Sequence, residues 1–182
     1  ELLWVFPDAV NPVFFNRMAA AGSDADRVAL TGRIHRAGLV GMTLLAILAG
    51  TVGWFAIPWL FGAQFRDARL IFELLLPGTV MLYTAKALTK FFAASNRPEL
   101  SGRLGLWSGI CGIGLYLTLI PLFMTTGGAI ATSISYFATS MLALFFYRSV
   151  VGSSGSLFGF RRSDWTWLGD QIGSSLRRRR DT

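Results

Sequence analysis

The chain is poor in the residue types that build catalytic and metal centres. It has one cysteine, Cys111, and one histidine, His35. A single thiol excludes an intramolecular disulfide, and neither residue has a companion for a zinc site or for histidine-based catalysis. Cys111 sits inside an apolar run and reads as a small packing residue, His35 in a basic segment as a solvated one. No metal or cofactor is expected. Carboxylates are also few, 10 Asp and Glu in 182 residues. A membrane glycosyltransferase would be expected to gather loop carboxylates near a large extramembrane face, whereas Asp24, Asp26, Asp67 and Glu99 are scattered, so an enzyme is not expected.

What the chain has is apolar length. Hydrophobic residues make up 53% of it, charged residues 15%, and the mean hydropathy is +0.51. Long apolar stretches run over Ala37 to Phe61, Leu70 to Ala94, Leu104 to Met124 and Gly128 to Tyr147. A spanning helix needs roughly 20 residues at about 1.5 Å each, so each is long enough to cross a bilayer. The first and third lack the polar residue at every third or fourth position that marks an amphipathic helix of a soluble domain. The expected fold is therefore all-α, a polytopic transmembrane bundle of four complete spans at about 37-61, 70-94, 104-124 and 128-147. The opening Glu1-Leu2-Leu3-Trp4-Val5-Phe6-Pro7 is too short to span and reads, through residue 16, as the cytoplasmic end of a truncated helix.

Basic residues choose the sides. Arg17, Arg27, Arg33 and Arg36 precede the first span; Lys90, Arg97 and Arg103 follow the second; Arg148, Arg161, Arg162 and Arg177 to Arg180 follow the fourth. The opposite side receives Arg66 and Arg69. This is the positive-inside pattern, which places the carboxyl terminus in the cytoplasm and the protein, multi-pass, in a cytoplasmic membrane. The net charge of +7 is read as a topology and anionic-lipid signal and not as a nucleic-acid footprint.

Residues 17-36 form a cytoplasmic connection. Within it, Ser23-Asp24-Ala25-Asp26 reads either as a capped helix N-terminus or as a solvated loop. Gly62 to Arg69 and Thr125-Thr126-Gly127 turn the chain outside; Ser95 to Arg103 turns it inside, with Pro98 as a stop. Ala46, Ala49, Gly50 and Gly53 share one face of the first span, and Gly105, Gly109 and Gly112 one face of the third. Such faces let helices approach closely in lipid, within the bundle or, for Gly105 and Gly109, in a homodimer.

On the second span Thr79, Tyr83, Lys86 and Lys90 fall within about 60° of one another. Lys90 can snorkel to the boundary. Lys86 is a turn deeper, where an ammonium costs a few kcal/mol unless water or a counter-charge faces it, and is a functional candidate. Glu73 lies about 120° away from that stripe. Pro77 removes a backbone donor and is a candidate hinge. On the fourth span Gly128, Thr132, Ser135, Tyr136 and Thr139 form a second polar stripe, and together the stripes suggest two walls of one polar cleft.

Leu60-Phe61-Gly62-Ala63-Gln64-Phe65, followed by Ala68 and Leu75, resembles the "LFG..F..A" signature of bacterial polysaccharide exporters, the Wzx-type flippases for lipid-linked oligosaccharides. Asn96-Arg97-Pro98-Glu99-Leu100 stands where that family has its "gk.k" inner turn. Ile120-Pro121 followed by Gly127-Gly128-Ala129-Ile130-Ala131-Thr132-Ser133-Ile134-Ser135 is similar again, as is Phe6-Pro7 followed by Ala20, Gly22 and Asp24 to "P..s.l...gd". The matches run in order from about residue 5 to 148. Pro121-Leu122-Phe123-Met124-Thr125-Thr126-Gly127 departs from the family's "Pro-x-x-Tyr-Gly", and the last segment has no counterpart. The resemblance implies membership of the multidrug, oligosaccharidyl-lipid and polysaccharide exporter superfamily, with two helical bundles around a cavity. This chain would be most of the second bundle, and the remaining half of the transporter its partner. The implied activity is flipping of a lipid-linked glycan by alternating access, for polysaccharide such as O-antigen, with Lys86 and Lys90 neutralising phosphate and Thr79, Tyr83, Thr132, Ser135, Tyr136 and Thr139 bonding sugar. A drug exporter of the same superfamily and a non-transporting membrane scaffold are the alternatives.

The tail, 148-182, carries a Gly/Ser-rich joint at Gly152 to Ser156, then Phe158, Phe160, Trp165, Trp167 and Leu168, and ends in Arg177-Arg178-Arg179-Arg180. It reads as a tether to anionic lipid headgroups or as a solvated cytoplasmic tail.

Overall fold

The computed structural model describes residues 20–152 together with 16, 18 and 157. The predicted end of a truncated helix and most of the tail lie outside the described residues. The described part is all-helical: α1 (Asp24–Phe61), a 3-10 turn (Ala63–Phe65), α2 (Arg66–Ala94) and α3 (Pro98–Val151). Each of the three long helices is long and apolar enough to cross a bilayer.

The first helix starts well before its apolar run. Ser23 is its cap, its Oγ accepting from the Asp26 backbone N–H at 3.1 Å, with Asp24 and Asp26 in the first turn where the helix dipole favours carboxylates. Residues 24–36, expected as part of a connection, are thus the opening turns of α1 itself. Gly62 ends the helix at φ 94°, its N–H reaching back to the Pro58 carbonyl at 3.0 Å.

At the other end of α2 the chain turns over three residues. Asn96 takes a left-handed φ of 55°, and the N–H groups of Ser95 and Arg97 bond Phe91 and Phe92 carbonyls, both at 2.9 Å. Pro98 then opens α3. Its role is the reverse of the expected stop: proline fits the first turn of a helix, whose N–H has no partner in any case.

The third helix is folded back on itself. Met124 has φ 50° and ψ −129°, outside the helical region, and residues on its two sides meet. The Tyr116 hydroxyl bonds Thr132 Oγ1 at 2.8 Å, and a Cβ at Gly112 would stand 3.1 Å from Ser135 Oγ. A straight helix would hold residues 112 and 135 about 34 Å apart. The limbs 98–123 and 125–151 are therefore antiparallel, with the reversal at Met124, just ahead of the expected turn at Thr125 to Gly127.

The order in space follows from the contacts. Tyr83 of α2 packs on Ile34 and Gly38 of α1, and Phe72 on Gly53, so these helices are antiparallel. Ser133 and Ser140 of the second limb donate to the Leu74 and Met81 carbonyls of α2. Seven residues along one helix match seven along the other, which makes this pair parallel. At the end holding the start of α1, here the basic end, Leu88, Phe91, Phe92, Leu104, Leu144 and Tyr147 form the main core cluster, which also takes in Leu157; the Phe91 and Tyr147 rings meet edge-on at 5.0 Å. Large apolar side chains also face outward, among them Phe55 (71% exposed), Trp59 (83%) and Leu117 (72%). A lipid surface accommodates such faces, water does not.

Candidate functional site

Two features of the α1–α2 pair carry polar chemistry in apolar surroundings. The first lies near the basic end. His35, fully buried, donates from Nδ1 to the Leu157 carbonyl at 3.3 Å and meets Thr84 Oγ1 through Nε2 at 3.0 Å. A carbonyl only accepts, so Nδ1 carries the proton and the neutral ring takes the Thr84 hydroxyl proton at Nε2. Tyr83 stacks beside the ring at 6.2 Å and donates to the Ile34 carbonyl at 3.4 Å. Thr31, Arg36 and Thr84 are buried with them. His35 was expected to be solvated. The reason it is not is that α1 begins at Asp24, so Thr31, His35, Met42 and Ala46 fall on one buried helical face, which His35 and Met42 turn to α2. Spacing alone could have found that face.

The second feature is a groove of about 890 Å³ between α1 and α2, lined from α1 by Thr43 to Phe55 and from α2 by Glu73 to Met81. It exists because Ala46 and Gly50 give α1 little bulk where Pro77 and Val80 face the same space. Glu73 lies against Gly50, where a Cβ would stand 3.1 Å from its Oε2. Towards the far end Arg69, one turn before Glu73, reaches across to α1, with its guanidinium 4.5 Å over the Trp54 ring and donating to the Trp54 carbonyl at 3.3 Å.

The residues expected to form one polar cleft are divided between two places. On α2, Thr79 is half-buried and returns its hydroxyl to the Leu75 carbonyl at 2.8 Å. Tyr83 is buried against α1, Lys86 half-buried and Lys90 exposed. This stripe lies about 150° round the helix from the Leu74–Gly78–Met81 face that meets the second limb. On that limb, Thr132 and Ser135 face the first limb, at Tyr116 and Gly112. Thr132 and Thr139 also donate to the Gly128 and Ser135 carbonyls, at 2.8 and 2.7 Å. Tyr136 is half-buried, and its carbonyl accepts from Ser140 at 2.9 Å. The two stripes do not face each other. α2 continues as helix through Pro77, which is exposed at the groove.

The glycine faces divide as well. Gly50, Gly53 and Gly112 have close neighbours on the adjoining helix, but Gly105 and Gly109 have nothing within 4 Å. The first limb makes contact through Leu104 near the basic end and through Gly112 and Tyr116 farther on, and the space beside Gly105 and Gly109 is open.

Compared with known proteins, the chain matches no family model, no curated protein and no solved structure.

Proposed function

We infer that this chain is a four-span bundle of a membrane transporter that moves a lipid-linked oligosaccharide across the bacterial cytoplasmic membrane. The four crossings are α1, α2 and the two limbs of α3. Their directions support the topology read from the charges. The start of α1 with Arg27, Arg33 and Arg36, the α2–α3 turn with Lys90, Arg97 and Arg103, and the end of the second limb with Arg148 share one end, while Arg66 and Arg69 stand at the other. The basic end is cytoplasmic in this reading, and the tail beyond it meets anionic lipid headgroups.

The observation that carries the reading is the lysine stripe on the flank of α2. Lys86 is half-buried one turn inside the exposed Lys90, so a phosphate drawn to Lys90 at the boundary has a second cation deeper along the same face. Thr79 continues the stripe toward the far end, and the sugar head would pass along it while the lipid stays in the bilayer. Thr132 and Ser135, which face the first limb at Tyr116 and Gly112, drop out of the sugar path. Complementation of a flippase-deficient strain with the full-length protein tests the role of the stripe, with membrane abundance measured alongside. Lys86→Ala should lose more glycan export than Lys90→Ala, and Lys86→Arg should keep part of it. Full export by Lys86→Ala at normal abundance would remove the stripe from the mechanism.

A further inference from the structure

The carboxyl tail begins with a contact that neither a lipid tether nor a solvated tail requires. Leu157 is 4% exposed and belongs to the core cluster at the basic end, with Leu88 and Phe92 of α2 and Leu144 and Tyr147 of the second limb. Its carbonyl accepts from His35 of α1 at 3.3 Å. One residue of the tail is thus tied to α1 by its main chain and to the cluster of the other two elements by its side chain. The backbone at the end of α3 suits such a return. Gly152 is exposed, with nothing within 4 Å, and has φ 69° and ψ −152°, a conformation open to glycine and costly to any residue with a Cβ. The sequence that follows, Ser153-Ser154-Gly155-Ser156, offers no apolar side chain, so Leu157 is the first residue after Val151 suited to a core.

The contact also stands where the α1–α2 groove stops. That groove reaches Thr43 on α1 and Met81 on α2. About two turns nearer the basic end on α1 is His35, and less than a turn beyond Met81 on α2 is Thr84. These two bond each other at 3.0 Å, and Leu157 takes the other nitrogen of the ring. We propose that Leu157 anchors a strap: the start of the tail is drawn back onto the basic ends of α1, α2 and the second limb, seals the groove at that end, and can leave while the spans stay packed. The helices beneath it hold each other without its help, α1 to α2 through Tyr83 and Ile34, and α2 to the second limb through Ser140 and Met81. Proteins open locally in units that differ in stability, and a segment tied on beyond a glycine joint is such a unit. Its release uncovers His35, Thr84 and the cluster to water at the basic end. The inference rests on these contacts and is independent of the glycan reading.

The test is the rate of labelling by a water-soluble maleimide, with the full chain in phosphatidylcholine nanodiscs on a Cys111→Ser background. Leu157→Cys should react at least about tenfold more slowly than the exposed Asn96→Cys. Gly152→Val cannot hold the return conformation and meets no packed neighbour, so it should speed Leu157→Cys and the cluster position Ala85→Cys by at least about fivefold. His35→Leu removes the donor to the Leu157 carbonyl and should act in the same direction. It keeps the question open to decision if Gly152→Val does not fold, as judged by helicity and elution volume. Ala131→Cys, fully buried on the second limb and outside the cluster, should stay slow in both variants. Labelling of Leu157→Cys as fast as Asn96→Cys with Gly152 and His35 intact, an unchanged rate in a folded Gly152→Val or His35→Leu chain, or a parallel rise at Ala131→Cys would each overturn the proposal.

Discussion

Replacing Gly78 by alanine should loosen the α2–second limb contact more than any other single added methyl along it. A Cβ there would stand 2.6 Å from Ser133 Cα and 3.0 Å from both Ser133 Cβ and Oγ. Carbon atoms rest at about 3.5–4.0 Å, so the backbones must part by about 1 Å. The obstacle is a main-chain atom and cannot be relieved by a rotamer change. Overpacking of this kind costs about 1–3 kcal/mol. The same displacement stretches the bonds from Ser133 to Leu74 and from Ser140 to Met81, each worth about 0.6 kcal/mol between membrane helices. The expected loss is therefore about 2–4 kcal/mol, offset by the roughly 1 kcal/mol that alanine gains over glycine within a helix. Gly105→Ala is the matched control. With nothing within 4 Å of that position, only the helix-propensity gain remains, and the protein should be unchanged or stabilised by up to about 1 kcal/mol. Reversible unfolding in mixed micelles, followed by far-ultraviolet circular dichroism, gives both numbers. Equal stability of the two variants would refute the close approach at Gly78. A loss confined to Gly105→Ala would show that the open glycine face is a packed interface with another chain.

His35→Ala should destabilise by about 2–4 kcal/mol in the same assay, since it empties a fully buried site and leaves the Thr84 hydroxyl without its ring partner. Met124→Gly should be neutral or stabilising by about 1 kcal/mol, because glycine adopts φ 50° without strain and Met124 is 78% exposed; a marked loss would contradict the reversal at that residue. On a Cys111→Ser background, impermeant thiol reagent added to intact cells should label Gln64→Cys and spare Asn96→Cys. The opposite result would invert the topology.

The large features were legible because they rest on length and charge, which no tertiary contact overrides. Apolar runs and alternating basic ends located the helices within a few residues except at the start of α1, which lies well ahead of its apolar run at the Ser23-Asp24-Ala25-Asp26 segment that reads either as a cap or as a solvated loop. The errors share one cause, the equation of local composition with environment. Residues 24–36 are basic and read as a connection, although α1 needs only a continuous helix to carry His35 onto α2. Pro98 follows an apolar run and reads as a stop, but the three-residue turn before it makes it an initiator. Gly105 and Gly109 share a face with Gly112, but only Gly112 has a close neighbour on the second limb. Which part of a small-residue stripe is covered depends on side chains of both limbs and is not written in either alone.

The polar stripes show where a sequence argument about membranes needs its neighbours. A hydroxyl in an apolar helix has two ways to be satisfied, and one of them is always at hand. Thr43, Thr51, Thr79, Thr89, Thr132 and Thr139 all donate to the carbonyl four residues back. Such a bond asks nothing of the surroundings, so a threonine stripe is compatible with lipid, with a packed helix or with a cavity. Ser133 differs, since its donor crosses to α2, and Ser140 crosses as well beside its own bond to the Tyr136 carbonyl. A carboxylate has no such local outlet, because it accepts and cannot donate to its own helix's carbonyls. Glu73 therefore says more about its environment than the hydroxyls do, although the stripe of hydroxyls and lysines is the more conspicuous pattern in the chain.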